Sequence, residues 1–406
     1  MKGQLSTIII ATSIVQLANG FFNTFISLRL AIETFDSSGL ILSAYFAGFT
    51  VGALRCKRII DRIGHIRAYA AFAGIVSAST VVMPLVPGSR SWIIFRALIG
   101  FGCAGIFVTT ESWLSAKAEP AARGRVFSIY MVGTFLALAL GQLLIARISI
   151  SSASSFNTIV ALFSLALILV TTAQAEQPQV EVTEALPYNA LLNAAPIAVL
   201  GCVVSGLVSS SFYSLVPAWM LSENIEREAI ALFMLLVVLG GFAFQIPVGR
   251  LSDKFDRRAI LALLSIGFAI TAVVMVTFPR YLQTLLLEAF LLGGFMSTLY
   301  PVCVSYAHDN MPADKVVAVS GQLILISGLG SVAGPLVGET LMVHLGINAL
   351  FYFMAAVALI LAVVAAGISG WTSSPMHAET PFRFLTPQAG PLAHCPQESN
   401  TAGETS

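Results

Sequence analysis

Twelve long apolar runs, separated by short polar breaks, pattern this chain from Leu5 almost to Gly370. They fall near residues 5–30, 38–56, 66–87, 92–115, 124–147, 156–174, 194–217, 226–248, 258–279, 282–306, 316–342 and 348–370. Each approaches the ~20 residues with which a helix crosses about 30 Å of hydrocarbon. A helix also satisfies every backbone polar group within its own segment, as lipid demands. The alternating segments of about ten residues that mark an outer-membrane barrel do not occur. The pattern predicts an all-α membrane protein with twelve transmembrane helices.

The polar breaks carry a second pattern. The stretch at 57–67, Lys-Arg-Ile-Ile-Asp-Arg-Ile-Gly-His-Ile-Arg, reads as a short charged hairpin. It is answered at 249–258 by Gly-Arg-Leu-Ser-Asp-Lys-Phe-Asp-Arg-Arg, so that Asp61 matches Asp253 and Arg62 matches Lys254 at a shift of 192 residues. At the same shift Pro120 meets Pro312, Ser128 meets Ser320 and Arg96 meets Glu288, while Gly100 and Gly102 lie near Gly293 and Gly294. Landmarks kept in one order predict two pseudo-symmetric six-helix bundles, a known transporter construction. The expected units are 1–174 and 194–370, joined by a polar connector at 175–193. From 371 to 406 the chain turns to Pro, Ser, Thr, His and Glu. Such a tail cannot bury enough apolar surface to fold alone, and disorder is expected.

Composition agrees with a membrane protein: 57% of residues are hydrophobic and 10% charged, against about a quarter charged in soluble domains. The net charge of +1, with no basic patch, predicts no nucleic-acid partner. The placement of cations says more. Lys2, Arg55, Lys57, Arg58, Arg62, Arg67, Lys117, Arg123, Arg125, Arg250, Lys254, Arg257, Arg258, Lys315 and Arg383 share one side of a twelve-helix topology. Arg29, Arg90, Arg147, Arg227 and Arg280 fall on the other. This bias predicts a multi-pass protein of the prokaryotic inner membrane with both termini in the cytoplasm. The connector has neither Lys nor Arg and is placed by helix count alone. Met1-Lys2-Gly3 precedes a run too long for a signal peptide, so the first helix is expected to stay uncleaved. Cys56, Cys103, Cys202, Cys303 and Cys395 are scattered singly and read as free thiols.

Candidate chemistry lies in the few polar residues inside the runs. Arg96 sits about a turn and a half into run four, where a charge costs up to about 2.5–3.5 kcal/mol at a helix centre and less near the interface. It needs a partner or a watery cavity. Glu288, at the matching position of the repeat, is the expected counter-charge, either as a working pair or as a static one. Gln16, Asn19 and Asn23 recur at i, i+3 and i+7 and share one helix face, lining a cavity or binding a neighbouring helix. Tyr213, with Ser205 and Ser209, continues the theme on run seven, and Phe295 and Tyr306 lie on the face of Glu288, suiting a partly apolar substrate. Gly64 supplies a tight turn, and Asp61 can accept charge-assisted hydrogen bonds. No metal-ligand histidine spacing, phosphate loop or nucleophile elbow occurs in the sequence, so neither an enzyme nor a cofactor is expected.

These residues resemble the major facilitator superfamily over essentially Leu5 to Gly370. The family's loop between helices two and three, Gly-x-x-x-Asp-Arg/Lys-x-Gly-Arg-Lys/Arg, is matched by Gly249, Asp253, Lys254, Arg257 and Arg258. The first copy keeps Asp61, Arg62, Gly64 and Arg67, with Lys57 at the leading glycine and His65 replacing an arginine. Arg96-Ala-Leu-Ile-Gly-Phe-Gly102 resembles the Arg-x-x-x-Gly-x-Gly of helix four in proton-coupled branches. The Gly-Pro signature that antiporter branches carry in helix five is instead approached in helix eleven, around Gly334-Pro335, while Gln142 takes the proline position in helix five. Close helix packing suffices for those glycines, and Glu339 and His344 near the end of run eleven are expected to be solvated.

The resemblance implies the major facilitator fold, with a central cavity lined by helices one, four, seven and ten. It implies a cytoplasmic gate in which the two loop copies latch the halves and Glu111 pairs with Arg62, Arg123 or Arg125. It further implies secondary transport of a small organic solute by alternating access, proton coupling through Arg96 and Glu288, and export. The expected partners are a small-molecule substrate, protons and the lipid bilayer, and the chain is expected to work as a monomer. A solute receptor without flux, a lipid-handling protein, a passive facilitator and an uptake symporter are the alternatives.

Overall fold

The computed structural model describes residues 2–33, 37–86, 88–119, 122–172, 188–278, 281–312 and 315–367, and among these all regular structure is helical. Twelve helices are long and apolar enough to cross a membrane. They are α1 (Lys2–Glu33), α2 (Ser38–Ile63), α3 (His65–Val82), α4 (Ser89–Lys117), α5 (Arg123–Gln142) and α6 (Ser154–Thr171), then α7 (Pro196–Ser222), α8 (Arg227–Lys254), α9 (Arg257–Thr277), α10 (Leu282–Asp309), α11 (Val316–Leu345) and α12 (Ala349–Gly367). A short helix, Leu144–Arg147, prolongs α5, and another, Tyr188–Ala194, leads into α7. The expected connector up to Pro187, and the whole tail from 371, lie outside the described residues.

Hydroxyls within the spans bond back to their own helix, as Thr50 does to Phe46 O (2.8 Å), Thr80 to Val76 O (2.7 Å) and Thr109 to Gly105 O (2.6 Å). This removes an unsatisfied donor from an apolar setting. Prolines interrupt α7, α8, α10 and α11 at Pro217, Pro247, Pro301 and Pro335. Each deletes one i→i−4 bond, which neighbouring helices of a membrane bundle can offset.

The charged breaks differ from the expected hairpin loops. α2 continues through Lys57, Asp61 and Arg62 to Ile63, because nothing in that stretch breaks a helix before Gly64. Gly64 alone separates α2 from α3, with φ 82°, and its N–H bonds Ile60 O at 2.8 Å. That left-handed backbone is open to glycine and strained for other residues. In the second copy the matching position is Asp256, whose carboxylate caps α9 by accepting from Arg258 N at 2.9 Å. One motif is closed in two ways.

Packing repeats across the halves. α2 packs on α4 as α8 does on α10, α1 on α5 as α7 on α11, and α3 on α6 as α9 on α12. Between the halves the contacts are α1 with α7, α2 with α11 and α5 with α8. The tightest crossings are glycine-mediated. A Cβ on Gly48 or Gly100 would collide with the carbonyl oxygens of Ala97 and Tyr45, and one on Gly240 or Gly293 with those of Phe290 and Val237. These crossings align the halves structurally. Tyr45 and Val237 are 192 apart, but Gly100 and Gly293 are 193 apart, so Arg96 corresponds to Ala289 rather than to Glu288.

Candidate functional site: a central cavity between the halves

Between the two bundles lies a cavity of about 140 Å³, roughly ten times the ~10–15 Å³ that one water needs on the same measure. Its walls differ. The first half contributes Gln16, Asn23 and Thr24 from α1, Tyr45, Phe46, Phe49 and Thr50 from α2, Arg96 from α4 and Gln142 from α5. The second half is rich in hydroxyls: Ser205, Ser209, Ser210, Tyr213 and Ser214 from α7, Ser297 and Tyr300 from α10, and Ser327 and Ser331 from α11. Met296, Leu138 and Ile324 add apolar surface. Among the described lining residues Arg96 is the one charged side chain.

Arg96 is 2% exposed. Its Nη2 donates to Asn23 Oδ1 at 3.2 Å, and its guanidinium lies over the rings of Tyr45 (4.6 Å) and Phe22 (5.4 Å). Asn19 organises this group from behind by accepting from Asn23 Nδ2 (3.2 Å) and from the Tyr45 hydroxyl (3.3 Å). The close α2–α4 crossing at Gly48 and Gly100 is what brings the Tyr45 ring under the guanidinium. Gln142 ties α5 to α1, donating to Gly20 O (3.0 Å) and accepting from the Thr24 hydroxyl (2.7 Å).

The expected site residues separate into those the structure brings together and those it does not. Arg96, Gln16, Asn23 and Tyr213 line the cavity, while Asn19 is buried just behind it. Glu288 is not a partner of Arg96 and does not line the cavity. A one-residue offset turns a helical side chain by about 100°, and the offset between α4 and α10 is of that size. Phe295 and Tyr306 share the face of Glu288 and leave the cavity with it. Phe295 packs edge-on against Phe244 of α8 (5.3 Å), and Tyr306 lies beneath the Arg258 guanidinium (5.6 Å). The face of α10 that meets the cavity carries Met296, Ser297, Tyr300 and Pro301 instead.

The gate network is likewise rearranged. Glu111 is 1% exposed and buried in the bundle, where it meets the phenol of Tyr130 on α5 and lies within electrostatic reach of Tyr300 on α10. Arg62 and Arg125 are exposed, Arg123 is half-buried, and Asp61 is exposed. In the second copy Arg257 Nε binds Asp309 at 2.9 Å and Nη2 binds Asp253 at 3.4 Å, fastening α8, α9 and α10 within one half. Gly249 is buried on α8 and Lys254 is exposed. His65, the first-half counterpart of Arg257, meets the Ser112 hydroxyl at 3.0 Å and fastens α3 to α4 without charge. These loop copies therefore staple each half internally in this conformation.

Two hydrogen bonds that cross between the halves lie towards the opposite end, away from the charged breaks. The Ser27 hydroxyl of α1 donates to Ser214 O of α7 at 2.5 Å, and Gly39 N–H at the start of α2 donates to Glu339 Oε2 of α11 at 2.7 Å. Glu339 is thus half-buried against a helix N-terminus, where a carboxylate is favoured, and not solvated as expected; His344 is exposed. Sequence reasoning missed Tyr45, Tyr300 and Glu339, because aromatic and terminal residues in an apolar pattern carry no mark of their partners. Gln142 had a usable signal, since an amide inside a span is itself expensive. Among the described residues no group of His, Cys, Asp and Glu side chains is arranged to hold a metal.

Two six-helix halves joined around a central cavity, mostly apolar with one guanidinium and a set of hydroxyls and amides, define a secondary membrane transporter fold. The chain belongs to the Major Facilitator Superfamily, whose sequence profile matches residues 8–237 and 198–388. It is 30% identical over 367 residues to the uncharacterized MFS-type transporter YcaD of Escherichia fergusonii, a match covering 89% of this chain and 95% of that relative. The YcaD of Shigella flexneri matches with the same identity and coverage. Among solved structures, the nucleoside transporter NupG superposes with a TM-score of 0.75 at 11% identity, over 90% of this chain and 100% of that one. A D-xylose–proton symporter superposes with a TM-score of 0.68 at 14% identity, over 91% and 98%. These structural likenesses show the fold, and with bacterial relatives they describe a multi-pass inner-membrane transporter.

Proposed function

We propose that this protein is a secondary active transporter that carries a small organic solute by alternating access, coupled to protons and in the direction of export. The observation that carries this reading is the cavity itself, lined by both pseudo-symmetric halves and mostly apolar apart from one guanidinium, amides and hydroxyls. With both termini in the cytoplasm, as the Lys and Arg bias predicts, the end closed by Ser27–Ser214 and Gly39–Glu339 faces outward. The conformation is then the inward-facing one.

Glu111 is the carboxylate best placed for proton coupling. It is buried inside a span, where ionisable groups are by default relay candidates, and it lies within electrostatic reach of Tyr300, which lines the cavity. Arg96 and Glu111 lie on one helix, 15 residues and so about 22 Å apart along its axis. Export rests on the resemblance of Arg96–Gly102 to the fourth-helix motif of efflux branches.

Alternating access can be tested without knowing the solute. A Ser209→Cys reporter is introduced with Cys395 replaced by serine, since Cys56, Cys103, Cys202 and Cys303 are buried. In inside-out vesicles an impermeant thiol reagent is expected to label the reporter, and in right-side-out vesicles it is not. Adding Gly39→Leu, whose side chain would meet Glu339 and Pro335, is expected to open the outer end and reverse the preference at least tenfold. Labelling from the same side with and without Gly39→Leu would defeat the alternating-access reading.

A further inference from the structure

We propose that the central cavity is a carboxylate site, with the guanidinium of Arg96 as the anchor for a compact, singly charged organic acid. This deepens the transporter reading and rests on it for what happens after binding. Among the described residues, no carboxylate lines the cavity beside the Arg96 guanidinium. Arg96 is almost fully buried in a span, yet the groups around it are an amide and two rings. Its Nε and Nη1 make no hydrogen bond to protein, and Nη2 spends one N–H on Asn23. A guanidinium has five donors in a planar fork, so a second Nη2 hydrogen and its neighbours remain to grip a carboxylate through two parallel bonds.

The rest of the cavity selects among anions. Arg96 is the one cation among the described lining residues, and no carboxylate lines the space to compete for it. A single negative charge is matched there, whereas a phosphate dianion would be left half-neutralised in a medium of low dielectric. Phe46, Phe49 and Met296 provide surface for an apolar body, and the unpaired Gln16 Oε1 and the serine wall provide polar partners for substituents. The cavity volume of about 140 Å³ leaves room for a compact acid. Asn19 and Tyr45 hold the guanidinium in place before any ligand arrives, so little ordering is left to binding.

The test is ligand-dependent thermal stabilisation of the purified full chain by butyrate and benzoate, against butyramide and benzamide as uncharged counterparts. The acids are expected to raise the melting temperature in a concentration-dependent way and the amides are not. Arg96→Gln is expected to weaken acid binding at least about thirtyfold, as loss of one partner of a buried charge pair does, and Arg96→Lys to weaken it less. Without ligand, Arg96→Gln is expected to melt no lower than the parent, because the buried charge it removes has no protein counter-ion. Amides binding as well as acids, acids binding Arg96→Gln undiminished, or no stabilisation by either acid would each overturn the carboxylate site. Acid binding without flux in proteoliposomes would uphold this site while overturning the transporter reading.

Discussion

Arg257→Ala is expected to lower stability by about 3–5 kcal/mol, the cost of breaking a buried ion pair by removing one member. The Arg257 side chain is 3% exposed and that of Asp309 is 8% exposed, with 2.9 Å between Nε and Oδ2. Removing the guanidinium takes the ion pair with Asp309 from between α9 and α10 and the longer contact with Asp253 of α8. The measurement is thermal unfolding of the purified protein in detergent. The double variant Arg257→Ala, Asp309→Ala is expected to recover part of the loss, since both members of the buried pair are then removed. The first copy of the motif behaves differently. Asp61→Ala and Arg62→Ala alter exposed side chains at the end of α2 and are expected to change stability by no more than about 0.5 kcal/mol. Equal losses from both copies would show that the two loops are not the unequal staples described above.

The second large effect is on coupling. Glu111→Gln is expected to abolish accumulation driven by a proton gradient in proteoliposomes, while solute-for-solute exchange at equal pH continues. A glutamine keeps the size and much of the hydrogen bonding of Glu111 beside Tyr130 and Tyr300, but it cannot carry a proton between the two sides. Glu288→Gln is expected to leave both activities near those of the parent, because that residue lies off the cavity. The reverse pattern, with coupling lost in Glu288→Gln and kept in Glu111→Gln, would return the coupling role to the residue first suggested by the repeat. Flux that ignores an uncoupler in the parent protein would mark a passive facilitator.

Arg96 and Glu288 show how far a linear pattern reaches. A shift of 192 aligned them, and along α2 and α8 that shift is the one the structure uses. Along α4 and α10 the glycine crossings require 193, and a single residue is enough to change which way a helical side chain points. Asn19, Asn23 and Gln16 were found because their spacing places them on one face whatever lies opposite. Tyr45 was not, since its ring meets Arg96 only after Gly48 and Gly100 have let two backbones approach. Glu111 was singled out in sequence as a gate residue, but the rotation of α4 turns it inward. Glu339 was expected in water, and it serves instead as an acceptor for the first turn of a helix in the other half.

The sequence by itself determined the number of spans, the two-half repeat, the side on which cations gather and the family. Each of these is a one-dimensional property: the length of an apolar run, a recurrence at fixed spacing, or a bias between successive breaks. Tertiary structure alone decided which polar residues meet, which end of the bundle is closed and what the cavity is made of. The physical reason is that a buried charge or amide in a membrane bundle is placed by helix rotation and by the depth of close glycine crossings. Differences of one residue and a few ångströms, invisible in the apolar pattern, turned Arg96 towards the cavity and Glu288 away from it.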